Sequence, residues 1–254
     1  MIGLIAGWWA GKYFYSHIEK KEIINSNEKK EEKTKLSLDD ENIEFLTNLT
    51  LGTFYFEHIS SENEEQIVEE TLFTDKKVNV ASLSANFKMS MALSTITYSD
   101  NATTISKADM LNAYKKVFGT DDIAESFESL IAGSHGKLTL DGENYKWDRL
   151  DWGTDGFFGK RLPYEAYQYD DRIEIDYVFA ENNMNQALGS DDFETVEYYA
   201  KDGKTVVFSY SFSNMDFDDD QAVLDNQNKF KHYIGTYAKG NDGNYYIVSV
   251  EPKN

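Results

Sequence analysis

The chain has no cysteine and only two prolines in 254 residues. The lack of thiols excludes disulfides, thiolate catalysis and cysteine-based zinc sites. Histidine is scarce as well. His17, His58, His135 and His232 are the full set, and no two stand in an HxH, HExxH or HxxxH pattern. A metal centre or a histidine relay must then be built by residues distant in sequence. Ser134 precedes His135, but no Gly-x-Ser-x-Gly elbow surrounds it. Basic residues number 25 against 45 acidic ones, for a net charge of −20. A surface this acidic repels phosphates and anionic head groups, which disfavours nucleic acid and acidic lipid as partners. No cofactor or metal motif is present, so neither is expected.

What the chain does have begins at its start. Residues 1–10 are apolar and uncharged, Lys12 follows, and Tyr13, Phe14 and Tyr15 come next. A full helical span needs about 20 apolar residues, and this run is shorter. Lys12 is placed to snorkel from a helix end, and Trp8, Trp9 and the aromatic trio suit a membrane–water boundary. Residues 1–15 therefore read as a membrane anchor, with no basic segment before them or cleavage site after them to suggest a removed signal. From residue 16 to 42 there is no glycine, proline or aromatic side chain, and lysine and glutamate alternate in clusters. That stretch buries too little apolar area to offset its ordering entropy and is expected to be a disordered stalk. Residues 43–254 then form the folded part, expected to be extracytoplasmic on a single-pass protein of the cell membrane.

Helical periodicity comes first in that part. Asp39 and Asp40 offer caps to a segment carrying Ile43, Leu46 and Leu49. Leu51 to Ile59 fits either a strand or a buried turn. Val80 to Thr97 reads as one helix, with Leu83, Phe87 and Met91 on one stripe and Met89, Leu93 and Ile96 beside it. Ser106 with Asp109 approximates a capping box, Met110, Leu111, Tyr114, Val117 and Phe118 form an apolar face, and Gly119 ends the helix. Residues 121–131 suggest a further short helix.

After Gly133 the period falls to two. Residues 137–140 and 143–147 flank Asp141-Gly142, a hairpin signal. Asp171 to Ala180 alternates, with Ile173, Ile175, Tyr177 and Phe179 on one face and Glu174 and Asp176 on the polar face. Two more hairpins are marked by Lys201-Asp202-Gly203 and by residues 240–243. The order predicts an α+β fold with N-terminal helices on one face of a curved antiparallel sheet, compatible with a cystatin-like or NTF2-like cone.

The segments LSANFKMSMAL, ISKADMLNAYKKVFG, DDRIEIDYVFAE and GNYYIVSVE resemble a group of uncharacterised bacterial proteins. The resemblance implies an N-terminal anchor, a Lys/Glu-rich spacer and an extracytoplasmic α+β domain. It brings no catalytic residues with it, and the cysteines common in that group are missing here.

Two clusters carry candidate chemistry. Asp216, Asp218 and Asp220 match the first three ligand positions of a calcium loop, but Gln221 and Gln227 stand where glycine and glutamate are required. They read as a solvated acidic turn or a helix cap. Residues 145–169 hold Trp147, Trp152, Phe157, Phe158, Tyr164 and Tyr167 among glycines and aspartates. Aromatic faces beside carboxylates make a surface for a protein, peptide or glycan ligand, and the plainer alternative is that they fill the core. Two functions follow. The first is a membrane-tethered, non-catalytic binding domain; the alternative is a cell-surface glycan hydrolase using acidic residues near residues 145–169.

Overall fold

The computed structural model describes residues 31–51, 55–61, 64–97, 102–122, 136–149, 159–186, 193–211, 213 and 217–253. The anchor expected at residues 1–15 lies outside this set, as do most of the stalk and residues 123–131 of the proposed short helix. Among the described residues no helix is long and apolar enough to cross a membrane. The chain divides at Lys33/Thr34, and the larger unit comprises residues 34–254.

The structure is α+β, with helices and antiparallel sheets in one chain. Order begins earlier than expected. Strand β1 (Thr34–Leu36) lies inside the segment read as stalk and pairs antiparallel with β8 (Lys160–Gln168). The charge pattern that signalled disorder is used here in pairing, since Lys35 Nζ meets Glu165 Oε1 at 2.8 Å. Helix α1 (Glu41–Leu51) follows, opened by Asp40, whose Oδ1 accepts from the Asn42 amide. Ile43, Leu46 and Leu49 are buried as their spacing requires.

Of the ambiguous Leu51–Ile59 segment, Leu51 ends α1 and residues 55–59 belong to strand β2 (Tyr55–Ser61), paired with β3 (Glu64–Glu70) in a separate two-stranded sheet. Strand β4 (Val78–Asn79) precedes a single 3₁₀ turn over Val80–Ser82. Helix α2 (Ala85–Leu93) is thus shorter than the Val80–Thr97 helix expected from periodicity. The reason is local: Ser84 accepts from the Phe87 amide at 3.0 Å and starts a new helix there. Strand β5 (Thr104–Ser106) leads into α3 (Lys107–Phe118). Ser106 caps it through the Asp109 amide, and Gly119 ends it at φ 69°, a left-handed conformation that glycine adopts without Cβ strain.

The remaining strands are β6 (Gly136–Asp141), β7 (Asn144–Arg149), β9 (Arg172–Gln186), β10 (Phe193–Tyr199), β11 (Val206–Ser211), β12 (Lys231–Lys239) and β13 (Tyr245–Pro252). Between β11 and β12 lies the short helix α4 (Asp219–Asp225). Among the described residues the expected single curved sheet is instead three sheets. The largest runs β1-β8-β9-β12-β13-β4, with β10 and β11 attached through β9; β5-β7-β6 form another. Strand β9 explains the branching. Its first half pairs with β8 and β12, whereas Glu181 to Gln186 pair with β10.

A second difference concerns the layers. Ile173, Ile175 and Tyr177 face the main core with Phe87, Met91, Met110 and Val117 from α2 and α3. The opposite face of β9 is also apolar at its far end. Val178 and Ala180 join Val196, Tyr198, Val223 and Phe230 in a second core. Helices therefore do not all lie on one face: α4 contributes Val223 to this second cluster. Helical sequence periodicity marked the first face, while the second gathers, among the described residues, six buried side chains from β9, β10, α4 and Phe230 just before β12.

Buried hydroxyls tie α1 to the main sheet. Thr50 Oγ1 shares a hydrogen bond with Tyr237 Oη, which meets Tyr177 Oη at 2.6 Å. Burial pushes the Tyr177 phenol up to about 12, so the network stays neutral at physiological pH. Gly235 makes room for it: a Cβ there would meet Tyr177 Cε2 and Tyr237 Oη at 2.9 Å each. Gly235→Ala is expected to lower stability by about 1–3 kcal/mol through overpacking. Urea denaturation measures this, and an unchanged midpoint would show that the two rings shift freely.

Candidate functional site

The outward face of the main sheet carries alternating residues of β8, β9 and β12, and its register brings charge together. Glu165 stands opposite Asp176, and Tyr167 opposite Glu174. His232 stands opposite Val178, two pairs along from Asp176 and so on the same face. The Lys253 amide donates to the His232 carbonyl at 2.8 Å, which lays the end of β13 alongside. These pairings make a cluster that no local motif announces.

Asp176 is the centre of it. Alternation placed this residue on the polar face of β9, which predicts solvation, yet it is only 2% exposed. That expectation is corrected by the neighbouring strands, which cover the site with cations. Asp176 Oδ1 lies 2.8 Å from His232 Nδ1, and Lys253 Nζ donates to Asp176 Oδ2. His232 Nε2 is 3.1 Å from the Gln227 carbonyl. A carbonyl and a carboxylate only accept, so both ring nitrogens are placed as donors and the ring is matched to its protonated form. The hydrogen bond to Asp176 accordingly raises the His232 pKa above its ordinary 6.5, against an opposing burial effect. The same carboxylate raises that of Lys253.

Beside this cluster is a cleft of about 510 Å³, within the range of ligand pockets. Tyr164, Lys201, Lys231, His232 and Lys253 line it together with Asp75. Each is positioned by a different device. Tyr164 occupies an irregularity of β8, where pairing skips from Pro163 to Glu165, and its ring meets His232 edge-on at 5.7 Å. Lys201 belongs to the β10–β11 turn, whose backbone is fastened by a 2.9 Å bond from the Lys201 amide to the Lys229 carbonyl. Lys231 opens β12 and pairs with Glu181 at 2.7 Å.

The aromatic residues expected at a binding surface separate. Trp147 is 2% exposed within the main core, on β7, and follows the core-filling alternative. Tyr164 is half-buried and lines the cleft. Tyr167 is half-buried and donates its hydroxyl to Glu165 at 2.9 Å. Trp152, Phe157 and Phe158 lie outside the described residues, as do Ser134, His135 and Asp216. Sequence reading missed His232, Asp176, Lys201 and Lys253 as a group. The available signal was Asp176 in the interior of an apolar strand, and it was outweighed by strict alternation.

The acidic turn is largely occupied. Asp218 Oδ1 accepts from the Gln221 amide and caps α4. Asp220 pairs with Lys160 at 2.7 Å, while Asp219 accepts from Tyr198 at 2.9 Å and Tyr210 at 3.2 Å. Among the described residues no group of three or more acidic or histidine side chains is arranged to hold a metal.

The displaced carboxylates all move one way. Hydrogen bonding to Lys35 lowers Glu165, and backbone hydrogen bonding to Thr205 lowers Asp202 to about 2. Tyr246 lowers Asp242. At Asp219 burial acts upward but is outweighed by hydrogen bonds from Lys160 and Tyr198. None of these groups is prepared as a proton donor at neutral pH. No family model, curated protein or solved structure matches the chain.

Proposed function

We propose that the protein is a membrane-tethered binding module, non-catalytic, whose domain works outside the cytoplasm and takes its ligand at the cleft beside His232. The observation that supports a non-catalytic role is how the obvious acid–base pair is spent. Both nitrogens of His232 and both oxygens of Asp176 are engaged within the protein. A general base needs a lone pair within reach of the substrate proton, and here that valence is filled internally. A glycan hydrolase needs one carboxylic acid with a raised pKa, and among the described residues every carboxylate with a displaced pKa is lowered instead.

The tether rests on the apolar start and charged spacer of the sequence, in keeping with the resemblance to anchored bacterial proteins. Protease added to intact cells is expected to cut between residues 16 and 33 and release a stable fragment beginning near Thr34. Complete protection of the protein, with recovery in the soluble cytosolic fraction, overturns the proposal.

A further inference from the structure

The cleft is a cationic feature on an acidic protein. Lys201, Lys231, His232 and Lys253 line it against Asp75, while the whole chain carries −20. The partners behind the wall do not cancel this. His232 and Lys253 share the single carboxylate of Asp176, and Lys231 is answered by Glu181. Lys201 is exposed and has no carboxylate partner among the described residues. Protonated lysine and histidine only donate, so what they lack is an acceptor carrying negative charge. Tyr164 supplies a ring on the same lining, and the side chains of Gln227 and Asn228 add neutral donors and acceptors suited to hydroxyls.

We infer that this cleft binds a small anionic sugar, a sugar acid or sugar phosphate, with its charged oxygens between Lys201 and the His232–Lys253 wall and its ring against Tyr164. The inference rests on the binding-module reading and adds the ligand class. Size and charge narrow the choice. A volume of about 510 Å³ holds one or two sugar rings. A long polyanion is repelled by the surrounding acidic surface, whereas a small one enters within a Debye length of the cations. A neutral sugar leaves the Lys201 charge unused.

The test uses the full chain and follows the His232 ring signals by NMR at constant ionic strength. Glucuronate, glucose 6-phosphate, glucose and inorganic phosphate are the four probes. One of the two anionic sugars is expected to shift the His232 signals saturably at concentrations at least about tenfold below glucose and inorganic phosphate. Which of the two binds more tightly identifies carboxylate or phosphate as the anionic group. Lys201→Gln, a change at an exposed turn, is expected to weaken that binding ~fivefold while leaving the melting temperature in place. Equal binding of glucose, or full affinity in Lys201→Gln, overturns the ligand class and leaves a binding module standing. Inorganic phosphate matching the sugars also overturns it. Release of product from a glucuronide or a sugar phosphate, abolished by His232→Gln, overturns the non-catalytic reading itself.

Discussion

Phe87→Ala is expected to cost about 3–5 kcal/mol, and Phe118→Ala only about 1 kcal/mol, although both lie on apolar helix faces. Phe87 is fully buried at the start of α2, among side chains from several elements of the main core. Removing its ring leaves a cavity that the surrounding strands and helices cannot close without moving. Phe118 ends α3, is only partly buried, and packs mainly against Tyr114, with ring centroids 4.6 Å apart. Water can fill the space that its ring vacates. Urea melts of the two variants decide the order. A larger loss at Phe118 would mean that the end of α3, and not α2, anchors the helical layer.

Asp176→Asn is expected to lower stability by roughly 3 kcal/mol, since removing one member of a buried ion cluster leaves the others uncompensated. The figure sits at the low end of that class because Lys253 is about half exposed and rehydrates on losing its partner. The accompanying pH dependence is more diagnostic. His232 has a folded pKa raised above 6.5, so its pairing adds stability that is fully present below 6.5. That contribution fades as pH rises through the folded pKa, because the unfolded ring has by then already lost its proton and the folded ring follows. The groups facing it are Asp176 from β9, Lys253 just after β13, Tyr164 from β8 and the Gln227 carbonyl from the turn before β12. Asp176 raises Lys253 away from this window, so the part of the slope that disappears in Asp176→Asn belongs to the His232 pair. The wild-type protein is expected to lose stability from about pH 6.5 upward, and Asp176→Asn to lose the slope along with the stability. A flat wild-type profile over that range would show that the pair contributes nothing to folding.

Much of the fold was legible because local signals and global packing agree. Ser106, Asp109 and Gly119 mark α3 from end to end, and the apolar spacing of Ile43, Leu46 and Leu49 is buried as spaced. The turns at residues 201–203 and 240–243 join the strands they were expected to join. The misreadings share a cause. Stripes over residues 80–97 ran through the 3₁₀ turn because periodicity ignores a new cap at Ser84. Thr34–Leu36 was hidden by Lys35 and the charged residues before it, which are tolerated on an edge strand where one side remains in water. The cleft was less legible still. Tyr164 was identified as one of the aromatic cluster over residues 145–169, but His232 and Lys253 gain meaning only from the register of β9 with β12 and of β12 with β13, and Lys201 only from its bond to Lys229. Pairing across long separations leaves no trace in a window of ten or twenty residues.

The position of β13 has a consequence for how the protein is made. This strand lies between β12 and β4, joining residues 245–252 to Val78–Asn79, and Lys253 just beyond it supplies one of the two cations on Asp176. During synthesis, everything up to residue 244 can emerge from the ribosome with that gap in the sheet still open. Local helices and hairpins can form as they appear, but the main sheet closes only when residues 245–252 arrive. The cleft gains its charge balance in the same step, because Lys253 reaches Asp176 only once β13 has paired with β12.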